Sequence, residues 1–240
     1  MTYDCNIQIA GRSIGTDRPP YVIAELSSNH KGDIVRAMQL IVAAKEAGAD
    51  AVKLQTYIAE TITLDQEGPG FVIEGGLWHG RKLYQLYQEG HTPWDWHPQL
   101  FEHAREIGIT CFSSPFDPTA VDLLESLATP AYKIASPEVI DIPLITYAAQ
   151  TGKPLIISTG MAEHREVFEA VAAARASGAG GVALLHCVSA YPTPVSEANL
   201  ARIPKLVADY DCPIGLSDHT LGIEVAIASV ALGATIIEKH

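Results

Sequence analysis

Residues 154–189 read PLIISTGMAEHREVFEAVAAARASGAGGVALLHCVS, and the reading of this stretch decides the fold. It opens on a short apolar run rich in isoleucine and turns on small residues. It then carries apolar residues at helical spacing and closes on a second apolar run. Glycines stop the helical pattern just past its last apolar position. Two near-continuous apolar strands joined by an amphipathic helix describe a βαβ unit, whose strands run parallel and are covered on both faces.

The same unit recurs along the chain. Strand candidates are YVIAEL (21–26), AVKLQTY (51–57), ITCFSSP (109–115), AYKIAS (131–136), PLIISTG (154–160), VALLHCVS (182–189), PIGLSD (213–218) and ATIIEKH (234–240). Helical patterns such as DIVRAMQLIVAAKEAGA, HPQLFEHAREIG and PTAVDLLESLA lie between most of them. Eight strands alternating with helices predict an α/β fold of the (β/α)8 TIM-barrel type, with residues 1–240 as a single domain. Two features depart from the repeat: a hairpin over residues 5–15, and a connection over 58–92 too long for a βα loop. Phe71, Leu77, Trp78, Leu83, Tyr84, Leu86 and Tyr87 give that connection too much apolar surface for a solvated linker. It reads as a lid over the barrel mouth.

Composition narrows the function. The 16 Lys and Arg against 28 Asp and Glu give a net charge of −12, which disfavours a broad nucleic-acid or anionic-membrane surface. A phosphate site must then be built from a few chosen residues. Cys5, Cys111, Cys187 and Cys212 lie far apart without CxxC spacing and read as buried free thiols. No apolar run reaches the ~18 residues of a membrane span, and the first residues lack a leader's basic and apolar regions. The expected compartment is the cytoplasm.

In a barrel of this type the C-terminal strand ends face the active-site mouth. Read in order, they carry Glu25; Lys53 and Gln55; Ser113 and Ser114; Lys133 and Ser136, with Glu138 just beyond; Ser158; His186 and Ser189, ahead of Tyr191; Ser217, Asp218 and His219; and Glu238, Lys239 and His240. Lysines inside apolar strands need an anionic partner. Either Glu25 and Glu138 supply it, or a phosphate or carboxylate substrate does. Two strand lysines among several serine-bearing strand ends favour the substrate. His219 and His240 end neighbouring strands about 4.8 Å apart and can aim two imidazoles at one divalent ion, with open positions left for substrate oxygens. His79, His97, His103 and His164 fall in the lid or on helices and carry no expected chemistry.

The blocks IAELSSNHKGD, AVKLQTY, CFSSPFD, AYKIAS, PLIISTGMA, LLHCVSAYPTP, IGLSDHT and IIEKH, in this order over residues 20–240, resemble the sialic acid synthase family. Its members condense phosphoenolpyruvate with an N-acylated hexose. The stretch GLWHGRKLYQLYQEGHTPWDWH looks like the pseudaminic acid synthase branch of that family. The resemblance implies a transferase that makes a nine-carbon nonulosonic acid, pseudaminic acid first and N-acetylneuraminate or legionaminate as alternatives. C3 of phosphoenolpyruvate attacks the sugar aldehyde, water adds at C2, and phosphate leaves by C–O cleavage. The implied metal is Mn²⁺, with Mg²⁺ or Co²⁺ as alternatives, held by His219 and His240.

By the same resemblance, Lys53, Ser114, Lys133, Ser136, Ser189 and Ser217 contact phosphoenolpyruvate. Ser158 joins that set from its strand end. Glu25 orients or deprotonates a water or substrate, while Gln55, Tyr191 and Glu138 face the sugar. Ser189 replaces an asparagine that N-acetylneuraminate synthases usually carry. Family members also continue past IIEKH into an eighth helix and a small antifreeze-like domain that caps the partner's barrel in a homodimer. Both are expected to be missing from these 240 residues, which should be weakly active alone. The competing readings are a binding-only or inactive barrel and a sugar-phosphate synthase; the latter would need a second basic cluster that the sequence lacks.

Overall fold

The computed structural model describes residues 6–75 and 78–240, so Cys5 and Leu77 lie outside the described residues. Two short strands, β1 (Ile7–Ile9) and β2 (Arg12–Ile14), pair antiparallel with Ile7 opposite Ile14. Ala10 and Gly11 both take positive φ between them, the backbone of a tight two-residue hairpin turn.

Eight parallel strands follow: β3 (Tyr21–Glu25), β4 (Ala51–Thr56), β5 (Thr110–Pro115), β6 (Tyr132–Ile134), β7 (Leu155–Ser158), β8 (Val182–Cys187), β9 (Ile214–Asp218) and β10 (Ile236–Lys239). Each pairs with the next, and β10 returns to β3 through Ile236 opposite Tyr21, so the sheet closes into a barrel. The fold is a (β/α)8 TIM barrel.

Helices run back along the outside between the strands, and local chemistry sets their ends. The Asp33 carboxylate accepts hydrogen bonds from the Val35 and Arg36 amides to start the helix Ile34–Glu46. Asp117 does the same for Pro118–Ser126, where Pro118 sits at a first-turn position that needs no N–H. Gly108, with φ +74°, ends His97–Ile107 in the left-handed conformation.

Strand alternation divides the core in two. Val52, Leu54, Cys111, Leu184, Leu216 and Ile237 pack outward against helix residues such as Ile41, Leu100 and Val171. Ile23, Ala51, Phe112, Ala131, Ile156, Ala183, Leu185 and Ile236 point inward and form a separate cluster with Ile7, Ile9 and Ile14 of the hairpin. Ile7 also packs against Gly181 at the start of β8, so the hairpin plugs the N-terminal end of the barrel. The interior thus becomes polar only toward the C-terminal strand ends.

The 58–92 segment folds as two helices, Ala59–Ile62 and Leu83–Gly90. The Tyr84 hydroxyl donates to Glu60, and Lys82 pairs with Glu67 at 2.8 Å. The Ser28 hydroxyl donates to Gly90 O at 2.6 Å, and the Tyr87 ring meets Tyr57 edge-on at 5.8 Å. These contacts anchor the segment to the loops that follow β3 and β4. Among the described residues, no helix is long and apolar enough to cross a membrane. Cys111, Cys187 and Cys212 are buried, and the first two carry free thiols.

Candidate active site at the C-terminal rim

The parity that sends Ala51 inward sends Lys53 and Gln55 inward as well, since side chains repeat every second residue. The same rule turns Glu25, Ser114, Lys133, Ser158, Cys187, Ser217 and Glu238 into the barrel. Ser113 has the opposite parity, and its hydroxyl bonds Thr56 at 2.7 Å away from the interior.

Lys53 Nζ lies 2.5 Å from Glu25 Oε2 and 3.2 Å from Glu238 Oε2, and all three side chains are buried. Ser27 N donates to Glu25 Oε1 at 2.8 Å, and the Ser217 hydroxyl donates to Glu238 Oε1 at 2.9 Å. Burial raises the Glu25 carboxyl above the usual range, with Lys53 opposing. Burial acts on Glu238 in the same sense, but Lys133 and Lys53 outweigh it and hold that carboxyl at about 2. Lys53 is raised, because its two carboxylates overcome its own burial. For Lys53, therefore, protein carboxylates supply the anionic partner.

Lys133 differs. It is 1% exposed, and among the described residues it has no ion-pair partner; its Nζ donates to Ile134 O at 2.9 Å. Burial, followed by repulsion from Lys53, lowers its pKa even though Glu238 attracts it. The hydroxyls of Ser114 and Ser158 are buried, and among the described residues they have no hydrogen-bond partners. A buried cation and two unused donors at neighbouring strand ends form an incomplete cradle that an anion would satisfy.

Ser136 accepts from Gly160 N at 3.1 Å, and Ser189 lies exposed with its hydroxyl 3.9 Å from the Cys187 thiol. A side chain at residue 160 would meet Cys187 O and the Ser189 hydroxyl at 2.9 Å, so this approach requires glycine.

His219 and His240 meet at the edge of this cluster with their Nε2 atoms 3.2 Å apart and ring centroids 4.0 Å apart. His219 Nδ1 donates to Val188 O at 2.9 Å, and His240 Nδ1 faces Asp218 O at 3.3 Å. With each proton on Nδ1, both Nε2 lone pairs point into one space, an arrangement that a shared cation stabilises. Donor atoms of Glu25, Glu238 and His240 all lie within 4.8 Å of one another. Two imidazoles beside two carboxylates make a mixed nitrogen and oxygen set that suits a divalent metal ion.

Tyr191 lies 4.1 Å from the His219 ring, between centroids, and is 70% exposed at the mouth. Gln55 is half-buried opposite Ser114 in the β4–β5 register. Glu138 has a buried Oε2 without a hydrogen-bond partner among the described residues and lines a cavity of about 340 Å³ with Thr61, Ile62, Phe116 and Asp141, between the 58–92 segment and the β5 and β6 loops. Burial raises its carboxyl pKa. A larger cavity of about 610 Å³ lies against the hairpin, bounded by Ile7, Phe168 and Arg175, away from all these groups.

His186 turns outward and bonds Ala198 O at 2.8 Å, while His97 bonds Thr56 at 2.8 Å. Sequence reasoning placed Glu238 at a strand end without giving it a role, and it left Cys187 out of the site. Both had a usable signal: Glu238 lies two residues before His240, and Cys187 two before Ser189, so each shares the inward face of its strand.

A profile of the NeuB family matches residues 40–240. The pseudaminic acid synthase of Helicobacter pylori is 47% identical over 223 residues, covering 93% of this chain and 66% of its own. That of Campylobacter jejuni serotype O:23/36 is 43% identical, covering 95% of this chain and 66% of its own. The chain thus spans about two thirds of the length of these curated relatives. The crystal structure of the N-acetylneuraminic acid synthetase of Leptospira borgpetersenii, in complex with citrate, superposes with a TM-score of 0.86 at 34% identity, covering 98% of this chain and 77% of that one.

Proposed function

The chain belongs to the NeuB family, and on that premise we propose that its barrel condenses phosphoenolpyruvate with an N-acylated hexose to give a nonulosonic acid, pseudaminic acid, and phosphate. The observation that carries this reading is Lys133. It is a buried cation with no carboxylate in ion-pair contact among the described residues, and it shares the barrel interior with the unused hydroxyls of Ser114 and Ser158. Only an anionic ligand relieves both deficits at once.

Lys133, Ser114, Ser136, Ser158, Ser189 and Ser217 bind the phosphate and carboxylate of phosphoenolpyruvate, and Lys53 adds positive charge from between Glu25 and Glu238. A divalent cation, Mn²⁺ by this donor set with Mg²⁺ or Co²⁺ as alternatives, would be held by His219 and His240 and would supply the Lewis acidity that polarises the acceptor aldehyde. C3 of phosphoenolpyruvate forms the new bond to the aldehyde carbon, and the aldehyde oxygen takes up a proton to become a hydroxyl. Water adds at C2, and phosphate leaves with its bridging oxygen. Glu25, whose raised pKa suits proton transfer, orients or deprotonates that water. Gln55, Glu138 and Tyr191 face the sugar. The reading includes a cytoplasmic setting and a homodimer for the full-length protein.

Phosphate release with enzyme in excess, across a panel of N-acylated hexoses with Mn²⁺, tests the proposal. Release with the pseudaminic acid precursor supports it. Release with N-acetylmannosamine alone would move the chain to the N-acetylneuraminate branch, and release with none would favour a binding-only barrel.

A further inference from the structure

Asp218 and Lys239 each immediately precede one of the paired histidines, and they face each other in the β9–β10 register. They share the parity of Leu216 and Ile237, so they lie behind the barrel wall whose inner face carries His219 and His240. Lys239 Nζ lies 3.1 Å from Asp218 Oδ2 and also donates to Thr220 O. Asp218 Oδ1 accepts from Thr220 N at 2.9 Å and from the Thr220 hydroxyl at 2.8 Å. Asp218 O accepts from His240 N at 3.2 Å and faces His240 Nδ1 at 3.3 Å.

These contacts close a small frame. His219 is the middle residue of a turn clamped at one end by the Asp218 carboxylate and at the other by the Lys239 ammonium. His240 hangs from the Asp218 carbonyl by both its amide and its ring. The ion pair locks the registers of β9 and β10, so the two imidazoles end at the same height with both Nε2 atoms facing inward. The Asp218 side chain is 1% exposed, and a buried carboxylate holds its place only with such partners.

We infer that the Asp218–Lys239 ion pair is the positioning device that sets the height and ring orientation of the His219–His240 pair for a divalent cation. The inference rests on the metal-binding reading above and extends it to two residues that touch neither substrate nor metal. Partners that orient ligating histidines typically change metal affinity about 10- to 100-fold when removed.

The test is Mn²⁺ calorimetry on the full chain, with the visible absorption of bound Co²⁺ as a report on ligand geometry. Lys239→Met and Asp218→Asn should weaken Mn²⁺ at least about 10-fold and shift the Co²⁺ bands, and Lys239→Arg should restore both. Unchanged affinity and bands in Lys239→Met and Asp218→Asn would overturn the inference. So would a loss of affinity that follows the thermal midpoint of the metal-free variants while the Co²⁺ bands stay as in the parent chain, because that marks a merely structural pair. A parent chain that binds neither ion overturns the metal reading itself.

Discussion

His219 Nε2 and His240 Nε2 stand 3.2 Å apart, each ring with its Nδ1 turned to a main-chain carbonyl. Removing one imidazole leaves the other without a partner for a shared ion. His240→Ala should therefore abolish Mn²⁺ binding and metal-dependent turnover, while phosphoenolpyruvate binding through Lys133 and its serines persists. Calorimetry with each ligand in turn checks this; retained Mn²⁺ affinity would remove His240 from the metal site.

The two interior lysines should respond unequally to neutralisation. Lys53→Met strands Glu25 and Glu238 as buried carboxylates without their cation and should cost about 3–5 kcal/mol of stability. Lys133→Met removes a buried charge that makes no close ion pair among the described residues, but it also removes the attraction that helps hold Glu238 ionised, so the ligand-free protein should lose less stability than Lys53→Met does. The same substitution should weaken phosphoenolpyruvate at least about 10-fold, since a charged hydrogen bond contributes roughly 1.5–3 kcal/mol. Urea denaturation and ligand titration on both variants separate the two effects.

Acid stability should depend on Glu238. Its folded pKa of about 2 lies below the ordinary glutamate value of 4.5, so the folded state binds fewer protons than the unfolded chain between those values. The stabilisation is present above 4.5 and is lost as pH falls toward 2. Glu25 shifts upward and opposes it, with a cost that grows as pH rises above the same ordinary value. Urea midpoints measured over that window should fall more steeply for the parent chain than for Glu238→Gln. Parallel curves would show that Glu238 carries no such linkage.

Gly160→Ala tests the close approach beneath Ser136. The added methyl would sit 2.9 Å from Cys187 O, a backbone atom that cannot rotate away. Overpacking of this kind costs about 1–3 kcal/mol. Displacement of the Gly160 amide from Ser136 should also raise the KM for phosphoenolpyruvate more than it lowers kcat. An unchanged KM would remove this turn from the binding site.

Much of the barrel was legible in the sequence because its signals are local. Strand alternation needs only neighbours two residues apart, and the caps at Asp33, Asp117 and Gly108 act within one helical turn. Strand order also placed Glu25, Lys53, Lys133, Ser158 and Ser217 at the strand ends that face the barrel mouth. The role of Glu238 was not legible because it comes from barrel closure: β10 aligns Glu238 with Ile23 of β3, which brings its carboxylate to Lys53 from the far end of the chain.

The sequence by itself determined the eight-strand repeat, the polar residues at the strand ends and the pairing of two histidines on neighbouring strands, because periodicity and adjacency of strands suffice for each. The tertiary structure alone decided which lysine keeps a carboxylate and which is left for a ligand. That choice depends on distances of a few ångströms between strands remote in sequence, where burial makes one ion pair strong and the lack of another costly. It also decided that Asp218 and Lys239 meet behind the histidines, since only closure of β9 against β10 puts their charges in contact.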